Sequence, residues 1–166
     1  METFESEIKY INYPLEMVYN KLADMNNVSV IKDRFGDPNF QNAAVQASGG
    51  KLSESQLQQI ADKVQNMQFD TDSISVDTGM MGTVTLRIIE REVNKTIKFE
   101  AENSPVPLNL WIQLLPTGET SCKLKLTVKA ELNFFIRKMV EKPLREGVNR
   151  LADMLAMIPY GNTQSI

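Results

Sequence analysis

With 166 residues, 18 of them basic and 21 acidic, the chain has a formal net charge of −3, which argues against the basic face that nucleic-acid binding needs. It has no histidine and a single cysteine, which removes the commonest general base, the commonest metal ligand and any intrachain disulfide. The length suits one domain, 1–166, large enough to bury a real core.

A chain without disulfides fits a reducing, cytoplasmic setting. The opening METFESEIKY contains acids and no apolar run, so no signal peptide is expected. No stretch approaches the ~18 consecutive apolar residues of a membrane span, so no integral membrane segment is expected.

Thr3 to Asn12 is predicted as one strand, with Phe4, Ile8 and Tyr10 alternating with Glu5, Glu7 and Lys9 and with Ser6 interrupting the apolar side. Pro14 then suits a first helical turn, and Leu15, Val18, Tyr19 and Leu22 follow at helical spacing. Asn26-Asn27 ends that helix, and Val28 to Phe35 adds further turns. Residues 36–52 are small and polar, with Asp37-Pro38 and Gly49-Gly50, and read as a long flexible loop or a functional lid. Ser53 and Gln56 form a capping-box pattern with Leu52 and Leu57 as its staple, and Leu57, Ile60, Ala61, Val64 and Met67 make one apolar face.

From Ser73 the period drops to two. Ile74 and Val76, then Val84, Leu86 and Ile88, then Ile97, Phe99 and Ala101 alternate with polar residues. Turns fall at residues 79–82 and at Asn94-Lys95, and Ser104-Pro105-Val106-Pro107 is a loop. Asn109 to Leu115 is the next strand, 116–119 the next turn, and Cys122 to Leu132 a long final strand.

Phe134 to Pro159 is a long amphipathic helix. At ~100° per residue Ile136, Met139, Val140, Leu144, Val148, Leu151, Met154, Leu155 and Ile158 share one arc. Pro143 removes one helical bond and Gly147 follows a turn later, which opens room above a sheet or simply bends the helix to follow it. The last strand, at ~3.3 Å per residue, and the helix, at ~1.5 Å, have matching lengths, so the helix can run the whole apolar face of the sheet.

The order of strand, helices, strands and long helix marks an α+β fold with its helices on one face of the sheet. With Met81-Gly82-Thr83-Val84-Thr85-Leu86, Asn94-Lys95-Thr96-Ile97-Lys98-Phe99, Leu110-Trp111-Ile112-Gln113-Leu114, Leu124-Lys125-Leu126-Thr127 and Val140-Glu141-Lys142-Pro143-Leu144, it resembles the START-like helix-grip superfamily, also called SRPBCC or polyketide cyclase and lipid-transport-like. The resemblance implies a curved antiparallel sheet of about six strands wrapped around the C-terminal helix, with helices between the first and second strands. It also implies a cavity between helix and sheet that takes a hydrophobic small molecule or lipid-like ligand. It carries over no catalytic residue.

Alternation turns Val84, Leu86, Ile88, Phe99, Ala101, Leu110, Ile112, Leu124, Leu126 and Val128 inward, where they fill a core whether or not anything binds. If the implied cavity is present, its expected lining is Met80, Met81, Leu86, Phe99, Leu110, Ile112, Leu126, Val128, Phe135, Met139, Leu144 and Met154. Met80 and Met81 either close its mouth or cover the end of the core. Arg137 and Arg150 either anchor a ligand carboxylate or phosphate, or snorkel to solvent. Cys122 is expected to be an inert core thiol. Asp70, Asp72 and Asp77 lack the spacing of a calcium loop, and no metal site or cofactor is expected. Glu90, Glu92, Glu100 and Glu102 read as a charged rim.

Three functions follow as expectations. The first is a non-catalytic carrier or sensor for a hydrophobic small molecule. The second is a cyclase- or hydrolase-type enzyme using carboxylates or tyrosines such as Tyr10 or Tyr19. The third is a protein-interaction module using the outer sheet face around Trp111, and a monomer or weak homodimer is expected.

Overall fold

The computed structural model describes residues 2–47, 49–50, 53–77, 82–104, 106–158 and 160, apart from the side chains of 44, 47, 60 and 63. Among them, eight strands form one antiparallel sheet. They are β1 (Glu2–Glu5), β2 (Lys9–Ile11), β3 (Gln68–Asp70), β4 (Ser73–Asp77), β5 (Thr83–Glu92), β6 (Thr96–Glu102), β7 (Leu108–Gly118) and β8 (Ser121–Ala130). In space the order is β1-β8-β7-β6-β5-β4-β3, and β2 also pairs with β8. From β3 to β8 this is a meander, each strand beside its predecessor.

The N-terminal strand departs from strict alternation. Glu5 faces Thr127 and Lys9 faces Leu124, so four steps on one strand match three on the other. The extra residue is a bulge, and it reverses which side chains face the core. Phe4 and Ile11 are therefore buried, while Ile8 and Tyr10, expected on the apolar face, point to solvent. Ser6 holds the break together: its N–H donates to Leu126 O, and Leu126 N–H donates to Ser6 Oγ, both at 2.9 Å.

Between β2 and β3 lie α1 (Leu15–Leu22), α2 (Met25–Val28), α3 (Val30–Phe35), α4 (Pro38–Ala47) and α5 (Glu54–Gln65). Asp24 caps α2 through its carboxylate on Asn26 N–H. Helix α4 lies where composition suggested an irregular loop. Pro38 starts it and the Asp37 carboxylate accepts the Asn39 N–H at 2.9 Å, so a local cap outweighs the weak apolar signal. The capping box of α5 is reciprocal: Gln56 N–H donates to Ser53 Oγ at 3.1 Å, and Ser53 N–H donates to Gln56 Oε1 at 3.0 Å. Its staple partner, Leu52, lies outside the described residues.

Arg91 binds these helices to the sheet. Its Nε donates to Ala23 O at 2.8 Å after α1, and its Nη2 pairs with Asp72 at 2.7 Å in the β3–β4 turn. That turn is a backbone device: the Asp70 carboxylate accepts the Asp72 N–H, which holds its pKa below the usual value.

Helix α6 (Phe134–Ala156) runs unbroken through Pro143 and is capped by Asn133, whose Oδ1 accepts the Ile136 N–H. Beyond its end, the buried Tyr160 hydroxyl donates to Leu155 O at 2.7 Å. One hydrophobic core joins the inner face of the sheet, the later part of α6 and helices α1 to α3 and α5. The fold is an α+β helix grip, with more strands than the six expected.

Candidate functional site

Helix α6 packs closest to β8, β1 and β2, at one side of the sheet. Over β4, β5 and β7 it stands off. A cavity of about 300 Å³ occupies the gap, at the lower end of the size range of small-molecule sites. Val76, Val84, Leu86, Leu108, Leu110 and Val128 line it from the sheet, with Met67 from the segment before β3. Val140, Pro143, Leu144, Gly147, Val148, Leu151 and Met154 line it from α6.

The gap has a local cause in the helix. Pro143 and Gly147 sit about one turn apart on the side facing β4 and β5, and neither carries a side chain long enough to reach the sheet. A Cβ added at Gly147 would meet nothing within 4 Å. The wall is aliphatic and thioether almost throughout. Polar groups gather where it meets solvent: Asp77 and Glu146 are exposed, and Arg150 is half-buried. Among the described residues Arg150 makes no hydrogen bond or ion pair. It is thus an unpaired cation at the rim of an apolar chamber.

Of the residues expected to line a cavity, Leu86, Leu110, Val128, Leu144 and Met154 do so, and Arg150 joins them at the rim. Phe99, Ile112 and Leu126 are buried deeper in packed core. Phe135 and Met139 do not face inward as expected: they are 77% and 58% exposed. The period predicts one continuous stripe, but α6 joins the hydrophobic core only from Leu144 onward; its first turns meet the edge strand β1 through Arg137 and leave Phe135 and Met139 uncovered. Arg137 is committed elsewhere, to Glu2 at 3.0 Å and Glu141 at 3.3 Å. With Arg145, it holds the Glu141 carboxyl below the usual range. Met80 and Met81 lie outside the described residues. Neither Glu146 nor Leu108 is expected at the cavity from the sequence, which places Met67 only on the apolar face of the helix after Ser53. The period of α6 places Glu146 beside Gly147 and Arg150, whereas Met67 is brought in by the tertiary fold alone.

The remaining candidates are structural in their surroundings. Cys122 is fully buried and burial pushes its thiol pKa up, away from nucleophilic character. Tyr10 is exposed and Tyr19 packs in the helical part of the core, so neither faces the cavity. Glu102 pairs with Arg87 at 3.0 Å and Glu92 with Lys95 at 3.4 Å. Trp111 faces outward and lies between Lys98 and Lys129, whose ammonium groups stand 5.2 and 5.7 Å from its ring. Among the described residues no cluster of three or more His, Cys, Asp or Glu could hold a metal, and no helix is long and apolar enough to cross a membrane.

No protein-family model matches the chain, and no curated protein matches it in sequence. Solved structures match over nearly its whole length. A START superfamily protein from Mycobacterium smegmatis superposes with a TM-score of 0.56 at 11% identity, over 93% of this chain and 94% of the other. Norcoclaurine synthase from Thalictrum flavum gives 0.58 at 11% identity, over 93% and 84%. The di-domain ARO/CYC BexL gives 0.57 at 13% identity, over 95% of this chain and 45% of that one. At such identities the likeness concerns architecture. The chain has the α+β helix-grip fold that these structures share.

Proposed function

We propose that the chain binds a hydrophobic small molecule in the chamber between α6 and strands β4, β5 and β7, as a non-catalytic carrier or sensor. The observation that carries this reading is the stand-off of α6, which leaves a cleft of about 300 Å³, open to solvent on one side and lined mostly by aliphatic side chains, rather than filled core. An apolar chamber of this size loses dispersion contacts when empty and regains them with an apolar guest. Unpaired Arg150 at the rim suits a ligand with an apolar body and one anionic end, since a guanidinium receives a carboxylate in a charge-assisted pair. The ligand class is then an amphiphile such as a medium-chain carboxylate. Members of the fold that hold hydrophobic ligands between helix and sheet support the same reading. Native mass spectrometry of gently purified protein, with and without added decanoic acid, tests it. A one-to-one adduct is expected; a chain that stays bare at saturating decanoate and decanol overturns it.

A further inference from the structure

The first turn and a half of α6 exposes three large apolar side chains: Phe134 at 66%, Phe135 at 77% and Met139 at 58%. The two rings stand edge to face at 5.8 Å. Isolated exposed apolar residues are ordinary, but three adjoining ones at the tip of a helix form a patch.

The unpaired charges nearest the rings are lysines. Arg137 and Arg145 are held by Glu2 and Glu141. Lys138 and Lys142 have no acidic partner among the described residues, and Lys138 lies over the Phe134 ring at 4.4 Å. At ~100° per residue Phe134, Lys138, Lys142, Phe135 and Met139 share one face, opposite Val140 and Leu151. Glu146 falls on the same face but beyond Lys142, about 10 Å along the axis from Met139, and Glu131 lies before the helix begins. A chain with net charge −3 thus presents two free ammonium groups among exposed aromatic rings.

We infer that this end of α6 is a docking surface for an anionic lipid bilayer, with Phe134, Phe135 and Met139 entering the headgroup boundary and Lys138 and Lys142 contacting lipid phosphates. The pattern of apolar side chains interleaved with lysines is that of an interfacial helix segment. A second copy of the chain fits less well. A two-fold pairing would gather four like-charged lysines into one small interface. Three side chains also supply well under the roughly 800 Å² per partner of a stable interface. The patch runs directly into Val140, Pro143 and Leu144 of the cavity wall, so docking brings the chamber close to the lipid. The inference does not depend on the chamber being occupied.

Co-sedimentation of the full chain with vesicles tests it. Vesicles of phosphatidylglycerol and phosphatidylcholine in equal parts should carry the protein down, and phosphatidylcholine alone should do so far less. Lys138→Ala with Lys142→Ala should weaken partitioning into the anionic vesicles by roughly 25-fold, about fivefold per lysine. Phe134→Glu with Phe135→Glu should abolish it, and added salt should weaken the wild type. These side chains are exposed, so circular dichroism and melting temperature should be unchanged; the lysine pair remains a test if the phenylalanine pair misfolds. Wild type that stays in the supernatant with anionic vesicles overturns the inference, as does a lysine variant that binds like wild type. Concentration-dependent dimerisation in analytical ultracentrifugation that the phenylalanine variant loses would assign the patch to a second copy instead.

Discussion

Lys9 Nζ stands 2.5 Å from Asp153 Oδ1, tying the short strand β2 to the last turn of α6. The pairing depends on the bulge at Ser6, which turns Lys9 toward the helix instead of away from it. Burial works against the Lys9 charge, but the hydrogen bond and charge of Asp153, aided by Glu7, outweigh it and raise its pKa above the usual 10.5. A base whose pKa is raised on folding contributes stability below its unfolded pKa and loses it as pH climbs through the folded one. Asp153→Asn should therefore cost about 1 kcal/mol at neutral pH, since both groups are mostly but not fully shielded. In urea titrations the difference from wild type should shrink as pH rises beyond 10.5. A difference that stays constant across that range would assign the loss to packing, not to the ion pair.

Ser6→Ala removes the acceptor for Leu126 N–H inside a buried bulge. The orphaned donor should lower stability by about 1–2 kcal/mol, more than a serine substitution at an exposed site. Equilibrium urea unfolding measures this, and amide exchange at Leu126 should speed up with it. A variant as stable as wild type would mean that water replaces the hydroxyl.

Gly147 is a helix-interior glycine with open space where a Cβ would stand. Gly147→Ala should raise stability by about 0.5–1 kcal/mol through helix propensity. Gly147→Phe should instead fill the chamber beside Pro143 and remove the decanoate adduct while leaving the far-ultraviolet circular dichroism unchanged. An adduct that persists in the folded Phe variant would place the ligand elsewhere.

Arg150→Ala should separate the two ends of the proposed ligand. Affinity for decanoate, by isothermal titration calorimetry, should fall by about tenfold, a modest loss because the guanidinium is only half-buried. Affinity for decanol should stay the same. Equal losses for both compounds would show that Arg150 contributes through its aliphatic stem alone.

The strands were legible wherever one face is wet and the other buried. Val84, Leu86 and Ile88, and Cys122, Leu124, Leu126 and Val128, show the two-residue period, and all are buried as that period requires. Strand β3 was not legible: Gln68–Asp70 is three residues long, too short to display any period. Helix α4 was hidden for a different reason, since its weakly amphipathic PNFQNAAVQA resembles a polar connection and declares itself only through the Asp37 cap.

By itself, the sequence determined most of the elements and their apolar faces, because periods of 2 and 3.6 residues are properties of a few consecutive side chains. It determined as well that a long helix must cover the sheet, since neither apolar face can remain in water. The tertiary structure decided how the two meet. The bulge at Ser6 depends on pairing with Leu126, and it alone turns Lys9 toward Asp153. The offset of α6 toward β8, β1 and β2 leaves the chamber under Pro143 and Gly147, and it carries Phe135 and Met139 past the edge of the core. Both depend on residues far apart in the chain, so no local period encodes them.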